Sequence, residues 1–380
     1  MRIAHLLAEP SRHGGAEAHA LALAAAQAAR GDDVILVALR PGPDAPAGVP
    51  LHVSTDPASA LAAAAPDVVH VHGTPLGGGE EEALGRAVVR SLHDWSFACA
   101  SGEKRFRGDV PCGRAHGAGC VEGILARGCA HRPNVLVPLR RLREISAQLP
   151  ALRASGAVVV YSHAVREAAL ANGFPPERVH VVPYFVERAP APAPVAAGRS
   201  FVFAGRVVGS KGLDVALRAL AAAPGAWDEL HVAGDGWARP DAERLAAELG
   251  IGARVRFHGW LDAAGVRTLV RDSRALLLPS RWPEPFGIAG LEALALGRPV
   301  VASHGGGIPE WLTADCGILV PPGDPASLAA AVALLDAEPG LAERLGRGGW
   351  ERAARYSPAA HLERLDAVYA SVAAARGRAA

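Results

Sequence analysis

The sequence predicts an α/β protein built from two doubly wound sheets of parallel strands. Short runs of Val, Leu and Ile, typical of strands covered on both faces, alternate with Ala-rich helical stretches along the chain. The length of 380 residues is too great for one ordinary core and suits two domains. A stretch rich in Pro and Ala divides the chain into nearly equal halves, and each half repeats the strand–helix alternation.

The predicted elements follow from this alternation, because each apolar run is bounded by turn residues. The strands are predicted at residues 2–8, 33–39, 51–53, 67–72, 88–93, 157–162, 179–184, 201–206, 229–234, 255–258, 275–280, 299–302 and 317–320. The helices between them include residues 16–29, 163–172, 211–222, 240–249, 262–272 and 287–296, and residues 339–375 form a helical tail.

The domain boundaries follow from the Pro/Ala stretch. We expect a first Rossmann-like domain at residues 1–185 and a second at residues 201–355, joined by the stiff linker 186–200, "VERAPAPAPVAAGRS". Residues 356–380 should form a C-terminal helix that crosses back to the first domain. The cleft between two such domains, at the carboxyl ends of the strands, is where a ligand is expected.

Composition excludes several classes of function. The 39 basic and 38 acidic residues nearly balance, so the chain has no positive excess with which to bind nucleic acid. No run of 18 apolar residues is present, so no membrane-spanning helix is predicted. The first residues read as a strand and a loop, not as a signal peptide. We therefore expect a cytoplasmic protein, with peripheral contact at the inner membrane face left open.

Two carboxylates stand out in the otherwise apolar stretch "WPEPFGIAGLEALALG", residues 282–297. A helix is predicted to begin there, and the free amides of Gly287, Ile288 and Ala289 suit a phosphate. Glu292, one turn further, could accept hydrogen bonds from the hydroxyls of a ribose, and Glu284 could reach a sugar beyond the phosphate. The alternative is a solvated loop glutamate and a helix-surface glutamate.

A second candidate is the stretch "FVFAGRVVGSKGLDVALRAL", residues 201–220. A strand ends at Gly205, and Arg206 and Lys211 then flank a short loop before a helix. Two cations in that position suit a diphosphate. Lys211 is also one of only two lysines in the chain, the other being Lys104. The alternative is an ordinary pair of surface cations.

Two further candidates follow strands of the first half. Gly14 and Gly15 precede a predicted helix, where glycines permit close approach of a ligand to the backbone, although a plain tight turn is the default explanation of a lone Gly-Gly pair. His93 and Asp94 stand at the carboxyl end of a strand, the functional edge of an open sheet. A purely structural histidine is the alternative. No G-x-G-x-x-G follows any predicted strand, which argues against an oxidoreductase.

Taken together and in order, these motifs resemble those of family 4 retaining glycosyltransferases of the GT-B fold. The resemblance covers essentially the whole chain and rests on Gly14-Gly15-Ala16-Glu17, His93-Asp94, Gly205-Arg206, Lys211-Gly212, Gly234-Asp235-Gly236, Glu284-Pro-Phe-Gly with Glu292, and Gly305-Gly306-Gly307 before Pro309-Glu310. The fold that the resemblance implies is two Rossmann-like doubly wound domains facing a central cleft.

The resemblance also implies roles for individual residues. Arg206 and Lys211 would hold the diphosphate, Glu292 the ribose, and Glu284 and His93 the transferred sugar. The remaining implied contacts are those of Gly15, Gly205 and the amides of Phe286, Gly287, Ile288 and Ala289 with the phosphates and the sugar.

The implied activity is same-face transfer of a sugar from a nucleoside diphosphate donor, UDP, GDP or other, to an unidentified small-molecule, glycan or lipid-linked acceptor. No metal or other cofactor is expected for catalysis, because protein cations and amides would stabilise the leaving phosphate. A GT-B phosphorylase, a nucleotide-sugar epimerase and a non-catalytic nucleotide-sugar-binding subunit are the alternatives. The oligomeric state is not predicted.

An insert at residues 97–133 holds four of the five cysteines: Cys99, Cys112, Cys120 and Cys129. Clustered cysteines in a cytoplasmic protein indicate metal more often than disulfides, so a structural zinc site is expected, with His116 or His131 able to replace one sulfur. Since no C-x-x-C pair is present, disulfides and free thiols remain alternatives.

Residues 101–143, which overlap the insert, carry nine Lys and Arg against three acids. This local excess of six favours an anionic acceptor or a lipid surface, and a merely solvated basic face is the alternative.

Overall fold

The computed structural model describes residues 1–11, 14–73, 87–129, 135–195 and 198–377. It divides into two compact units. Unit 1 comprises Met1–Lys104, Gly113–Tyr184 and Pro358–Ala380, and unit 2 comprises Arg105–Cys112 and Phe185–Ser357. None of the helices in the described part of the chain is both long and apolar enough to cross a membrane.

Unit 1 contains a seven-stranded parallel sheet with the order β3-β2-β1-β4-β5-β6-β7. Its strands are β1 (Arg2–Leu7), β2 (Asp33–Ala38), β3 (Leu51–Val53), β4 (Val68–His72), β5 (Val88–Leu92), β6 (Ala157–Val160) and β7 (Val179–Val181). Its helices are α1 (Gly15–Arg30), α2 (Pro57–Ala64), α3 (Gly119–Leu125), α4 (Leu136–Ala154), α5 (His163–Ala171) and, from the end of the chain, α13 (Pro358–Gly377).

Unit 2 repeats the same architecture with six parallel strands in the order β10-β9-β8-β11-β12-β13. The strands are β8 (Ser200–Ala204), β9 (Glu229–Ala233), β10 (Val255–Gly259), β11 (Ala275–Leu278), β12 (Val300–Ser303) and β13 (Gly317–Val320). The helices are α6 (Leu213–Ala222), α7 (Arg239–Glu248), α8 (Ala263–Arg271), α9 (Ile288–Ala295), α10 (Ile308–Trp311), α11 (Pro325–Ala337) and α12 (Leu341–Ala353).

Burial on both faces explains the apolar strands. All five residues of β4 and all five of β5 are buried, as expected where helices cover a parallel sheet. In unit 2 the core centres on Phe201, Phe203 and Trp227, all at most 2% exposed. The indole of Trp227 donates to the carbonyl of Leu220 at 2.8 Å, so the largest core side chain keeps its polar atom paired.

The predicted fold class is confirmed, and each of the thirteen predicted strands is present within three residues of its expected limits. Between β7 and β8 the described residues form neither helix nor strand. The buried guanidinium of Arg298 donates to the carbonyls of Ala193 and Pro194, at 2.8 and 2.6 Å. These bonds hold the Pro/Ala stretch against unit 2.

The insert differs from the expectation that all of it lies in the first domain. Residues Arg105–Cys112 belong to unit 2. Asp109 pairs there with Arg281 and also accepts a bond of 2.8 Å from Arg105. The insert also contains regular structure, because α3 occupies seven of its residues.

Candidate functional site

The sheet of unit 2 reverses its strand order between β8 and β11. In open α/β sheets the crevice outside the carboxyl ends of such strands is the usual ligand site. Residues 205–211 follow β8, and residues 279–284 follow β11, so the reversal brings two of the sequence-predicted stretches to one edge.

Lys211 and Glu284 meet at this edge. The Lys211 ammonium donates to both carboxylate oxygens of Glu284, at 2.7 and 3.1 Å, although 73 residues separate the two in sequence. Ser280 also donates to the same carboxylate. Burial of Glu284, only 2% exposed, opposes its ionisation, but Lys211 and Ser280 outweigh burial and leave its pKa lowered. Glu284 is therefore a buried, ionised carboxylate with a cation partner.

Glycines allow the backbone to approach this pair closely. Gly306 has a φ of 61°, and a Cβ there would overlap the carbonyl oxygen of Glu284. The next amide, of Gly307, donates to that oxygen at 2.8 Å. Beside the other loop, a Cβ at Gly234 would overlap the carbonyl oxygen of Gly205. The glycine motifs in the sequence are therefore places where two backbone segments touch.

The first residue of α9, Ile288, lies four residues after Glu284. Gly287 precedes the helix with a φ of 83°, and no side chain caps it. The amides of Ile288 and Ala289 have no preceding turn to bond, so they are available to an anion. The side chain of Phe286 is buried and packs near Trp311, whose indole donates to the Phe286 carbonyl at 2.7 Å. Only the backbone of Phe286 could therefore serve a ligand.

Glu292 lies on the first turns of α9 and is exposed to solvent. Even so, protein surrounds its carboxylate closely enough that desolvation raises the pKa of Glu292 to about 7, against the opposing charge of Arg267. The exposure of the side chain leaves the carboxylate within reach of a ligand. The group can therefore accept hydrogen bonds from a ligand.

Arg206 differs from Lys211 in its surroundings. It is exposed, and within the ranges that the structure describes its guanidinium forms no ion pair with a carboxylate. It follows Gly205 directly at the end of β8. Of the two predicted diphosphate cations, one is thus already paired and the other is open to a ligand.

Unit 1 has its own reversal of strand order, between β1 and β4. A cavity of about 230 Å³ opens at this edge and is lined by Ala16 and Glu17 from the first turn of α1, together with Arg90, His93 and Asp94. The helix begins at Gly15 and its N-terminus carries no side-chain cap. Gly14 and Gly15 are described, but His13 before them lies outside the described residues.

His93 is half-buried in the wall of this cavity. Its Nε2 lies 3.2 Å from Nδ1 of His72, and its Nδ1 lies 2.7 Å from the hydroxyl of Tyr184. Burial lowers the pKa of His93 to about 3, so the imidazole is neutral at pH 7. Sequence reasoning singled out His93 but missed its partners. The alternating histidines of "VVHVH" in β4 were the available signal, since alternate residues of a strand share a face.

The four cysteines of the insert do not gather into the expected metal site. None of the four forms a disulfide, and among the described residues no three of their sulfurs lie close enough to share a metal ion. They occupy separate elements: Cys120 lies on α3, Cys129 follows it, Cys112 is in unit 2, and Cys99 accepts a bond from the amide of Lys104. The proposed alternative ligand His131 lies outside the described residues, and His116 bonds Ser146 instead.

Two family models match this chain. The model for Glycosyltransferase Family 4 matches residues 13–189, and the model for Glycosyl transferases group 1 matches residues 198–337. A D-inositol 3-phosphate glycosyltransferase of Streptomyces bingchenggensis is 33% identical over 184 residues, which are 43% of this chain and 40% of that protein. An alpha-D-kanosaminyltransferase of Streptomyces kanamyceticus is 29% identical over 244 residues, which are 60% of this chain and 63% of that protein. The chain thus matches about half of the length of these relatives.

Solved structures resemble the chain over nearly its whole length. Anabaena Alr3699/HepE, in complex with UDP and glucose, gives a TM-score of 0.71 at 18% identity and covers 98% of this chain and 100% of its own. WaaG, a glycosyltransferase involved in lipopolysaccharide biosynthesis, gives 0.71 at 18% identity over 96% of this chain and 98% of its own. These likenesses establish the fold. Because family models match both halves and GT-B structures match the whole, the chain belongs to the family 4-like glycosyltransferases of the GT-B fold.

Proposed function

We propose that this protein is a retaining glycosyltransferase that moves a sugar from a nucleoside diphosphate donor to an acceptor hydroxyl without a divalent metal. The observation that carries the proposal is the Lys211–Glu284 pair at the strand reversal of unit 2, where Glu284 lies four residues before the first residue of α9, a helix with an uncapped N-terminus. A cation, free amides and a carboxylate at one sheet edge suit a diphosphate and the sugar attached to it.

The transfer needs stabilisation of negative charge on the departing phosphate. Arg206, Lys211 and the amides of Ile288 and Ala289 supply that stabilisation, in the role that a metal fills elsewhere. Glu292 accepts hydrogen bonds from the ribose. The acceptor hydroxyl attacks the face that the phosphate leaves, and the leaving phosphate takes its proton.

The donor is a nucleoside diphosphate sugar, and support for UDP comes from the complexes of HepE with UDP and glucose. A screen of UDP-, GDP-, ADP- and dTDP-glucose by thermal shift and by slow donor hydrolysis, in EDTA, tests the proposal. Stabilisation by one nucleotide and metal-independent release of its diphosphate are expected. A protein that binds none of the four, or that needs Mg²⁺ for turnover, would contradict it. Binding without turnover would point to a non-catalytic subunit.

We also propose that unit 1 contacts an anionic membrane through α3 and the start of α4, which pack against each other. Leu125 and Leu136 are 62% and 70% exposed, and Val121 and Val137 are exposed beside them in sequence. The flanking basic residues are Arg127, Arg140, Arg141 and Arg143. Exposed apolar side chains among arginines suit the headgroup boundary of anionic lipid.

Vesicle co-sedimentation tests this contact. Wild-type protein should bind phosphatidylglycerol vesicles at low salt and not phosphatidylcholine vesicles, and binding should fall in Leu125→Ser and Leu136→Ser. Leu334, another exposed leucine, gives the control variant Leu334→Ser, which should bind as wild type. Equal binding to both lipids, or no binding to either, would contradict the proposal.

A further inference from the structure

Nine side chains in unit 1 form one continuous run of hydrogen bonds that includes His93 in the wall of the cavity and passes through the core. The run is Tyr184, His93, His72, His5, Gln27, Tyr369, His70, Ser91 and Tyr161, with separations of 2.7, 3.2, 2.9, 2.6, 3.3, 2.7, 2.8 and 2.7 Å in that order. All except His93 are buried.

The first arm of the run has a direction that Gln27 determines. The amide oxygen of Gln27 lies 2.6 Å from Nε2 of His5 and can only accept, so that nitrogen carries a proton. A neutral imidazole has one proton, so Nδ1 of His5 must accept from Nε2 of His72. The same reasoning makes Nδ1 of His72 accept from Nε2 of His93, and Nδ1 of His93 accept from the Tyr184 hydroxyl.

The second arm continues in the same sense. The amide nitrogen of Gln27 donates to the hydroxyl of Tyr369 at 3.3 Å. That hydroxyl then donates to Nδ1 of His70, which leaves the proton of His70 on Nε2, where it is donated to Ser91. Turning the Gln27 amide over would reverse every bond of both arms, because each group donates once and accepts once.

We infer that Gln27 is a positioning residue that sets the direction of the whole run, so that His5, His70, His72 and His93 all carry their proton on Nε2. This inference rests on the proposed function only for its consequence at the cavity. There His93 has a single accepting nitrogen, Nδ1, which Tyr184 occupies in the unliganded protein. A sugar hydroxyl that displaces Tyr184 must therefore donate to His93 and cannot accept from it.

Two observations support neutral, metal-free imidazoles. Burial lowers the pKa of His5 to about 4, and it lowers the pKa of His70 and of His72 well below the ordinary value. Nitrogens of these three rings lie within 4.8 Å of one another, close enough for a metal ion. However, each of their six ring nitrogens has a hydrogen-bond partner, and the rings of His70 and His72 stack at 4.2 Å instead of pointing at a common centre.

The test is a long-range proton–nitrogen correlation spectrum of the full, unliganded protein labelled with [¹⁵N]histidine. All four histidines should show a protonated Nε2 and an unprotonated Nδ1 across pH 6–8. The exposed His52 and His304, whose rings form no hydrogen bond within the described part of the chain, serve as the internal control and should exchange between tautomers. Mixed tautomers, or any Nδ1–H form among the four, would overturn the inference, as would retained metal at one equivalent per chain.

The variant Gln27→Glu tests whether Gln27 sets the direction of the hydrogen bonds or only fills space in the core. When ionised, the introduced carboxylate accepts from both sides, so His5, His72 and His93 should keep Nε2–H while His70 switches to Nδ1–H. Because burial raises the pKa of that carboxyl group, the switch is expected at the alkaline end of the pH series. Tyr369→Phe, an isosteric change that keeps the buried ring, should leave the first arm unchanged and make the His70 tautomers mixed. If His70 does not respond in either variant, Gln27 does not set the direction.

Enzyme activity provides a second measurement that is independent of the tautomers. We expect Gln27→Glu to lower turnover of UDP-glucose less than threefold, because the first arm and His93 keep their tautomers. The variant Tyr184→Phe should change KM for UDP-glucose more than it changes kcat. The expected tautomers in a protein that turns over no donor would refute the proposed activity and leave the directed run intact.

Discussion

Lys211 donates to both carboxylate oxygens of Glu284, at 2.7 and 3.1 Å, inside a loop junction where Glu284 is almost wholly buried. The sequence motifs suggest separate tasks for the two residues, a phosphate cation and a sugar acceptor. In the structure the two side chains form an ion pair, so replacing Lys211 changes the pKa of Glu284. Variants at either position must therefore be interpreted as changes to a pair.

Lys211→Ala should destabilise the protein by about 3 kcal/mol, because it leaves a buried carboxylate without its cation. Urea unfolding at pH 7 measures this, and the double variant Lys211→Ala/Glu284→Gln should recover part of the loss. Arg206→Ala is the matched control: it removes one exposed cation of the same edge and should change stability by less than about 0.5 kcal/mol. Equal destabilisation by Lys211→Ala and Arg206→Ala would show that the ion pair contributes no more to stability than an exposed cation.

The same pair predicts how stability depends on pH. The pKa of Glu284 is lowered in the folded state from its ordinary value of 4.5, so its contribution is present above pH 4.5 and is lost as pH falls below that value. In Lys211→Ala the neighbouring positive charge is gone and only hydrogen bonds such as that from Ser280 oppose burial, so the pKa of Glu284 should rise and stability should instead fall as pH increases past 4.5. Unfolding free energies measured from pH 4 to pH 8 distinguish the two slopes.

Both cations should matter to the proposed transfer. Arg206→Ala and Lys211→Ala should each lower kcat/KM by about 2–4 kcal/mol of transition-state stabilisation, if each acts like a single oxyanion donor. Lys211→Arg should not restore the rate, because a planar fork cannot reproduce the contact of a compact ammonium with Glu284. Full activity in Lys211→Arg would show that charge alone suffices.

The positions of the strands along the chain, and the placement of glycines and charges directly after them, could be predicted from sequence because both depend on local patterns. Apolar runs mark buried strands, and a glycine or a charge directly after a strand falls at the functional edge of the sheet. The direct bond between Lys211 and Glu284 could not be predicted, since it joins residues 73 apart through the order of the strands. The histidine run depends in the same way on contacts between β1, β4, α1 and α13.

For the four cysteines of the insert, sequence alone does not give the distances between the sulfurs. Their clustering in sequence suggested a common site, yet spacing along a chain says little about distance when a helix and a change of unit intervene. We expect all four to titrate as free thiols with a disulfide reagent in the native or mildly denatured protein, and zinc to be well below one per chain. Stoichiometric zinc that chelators remove with a fall in Tm would restore the original expectation.

The raised pKa of Glu292 leads us to expect that nucleotide binding depends on pH. Its pKa of about 7 means that it loses its proton between pH 6 and 8 and becomes a stronger hydrogen-bond acceptor. Affinity for UDP should therefore rise over this range more in wild type than in Glu292→Gln, and the comparison cancels titration of the nucleotide itself. Glu292→Ala should weaken UDP by about 1–3 kcal/mol. The affinity for UDP is measured by calorimetry as a function of pH. If wild type and Glu292→Gln show the same pH dependence, Glu292 does not accept a hydrogen bond from the ribose.

Gly306 and its neighbour Gly305 offer a matched test of the loop that holds Glu284. Gly306→Ala should cost about 3 kcal/mol or more, because the residue has a φ of 61° and the new Cβ would overlap the carbonyl oxygen of Glu284. At Gly305 a Cβ would meet only Cα of Pro283, at an ordinary 3.5 Å. Gly305→Ala should therefore fold with nearly wild-type Tm. If Gly306→Ala and Gly305→Ala change Tm equally, the close backbone contact at Gly306 does not hold the loop in place. The Lys211–Glu284 pair would then have to form even when the backbone at residue 306 is displaced.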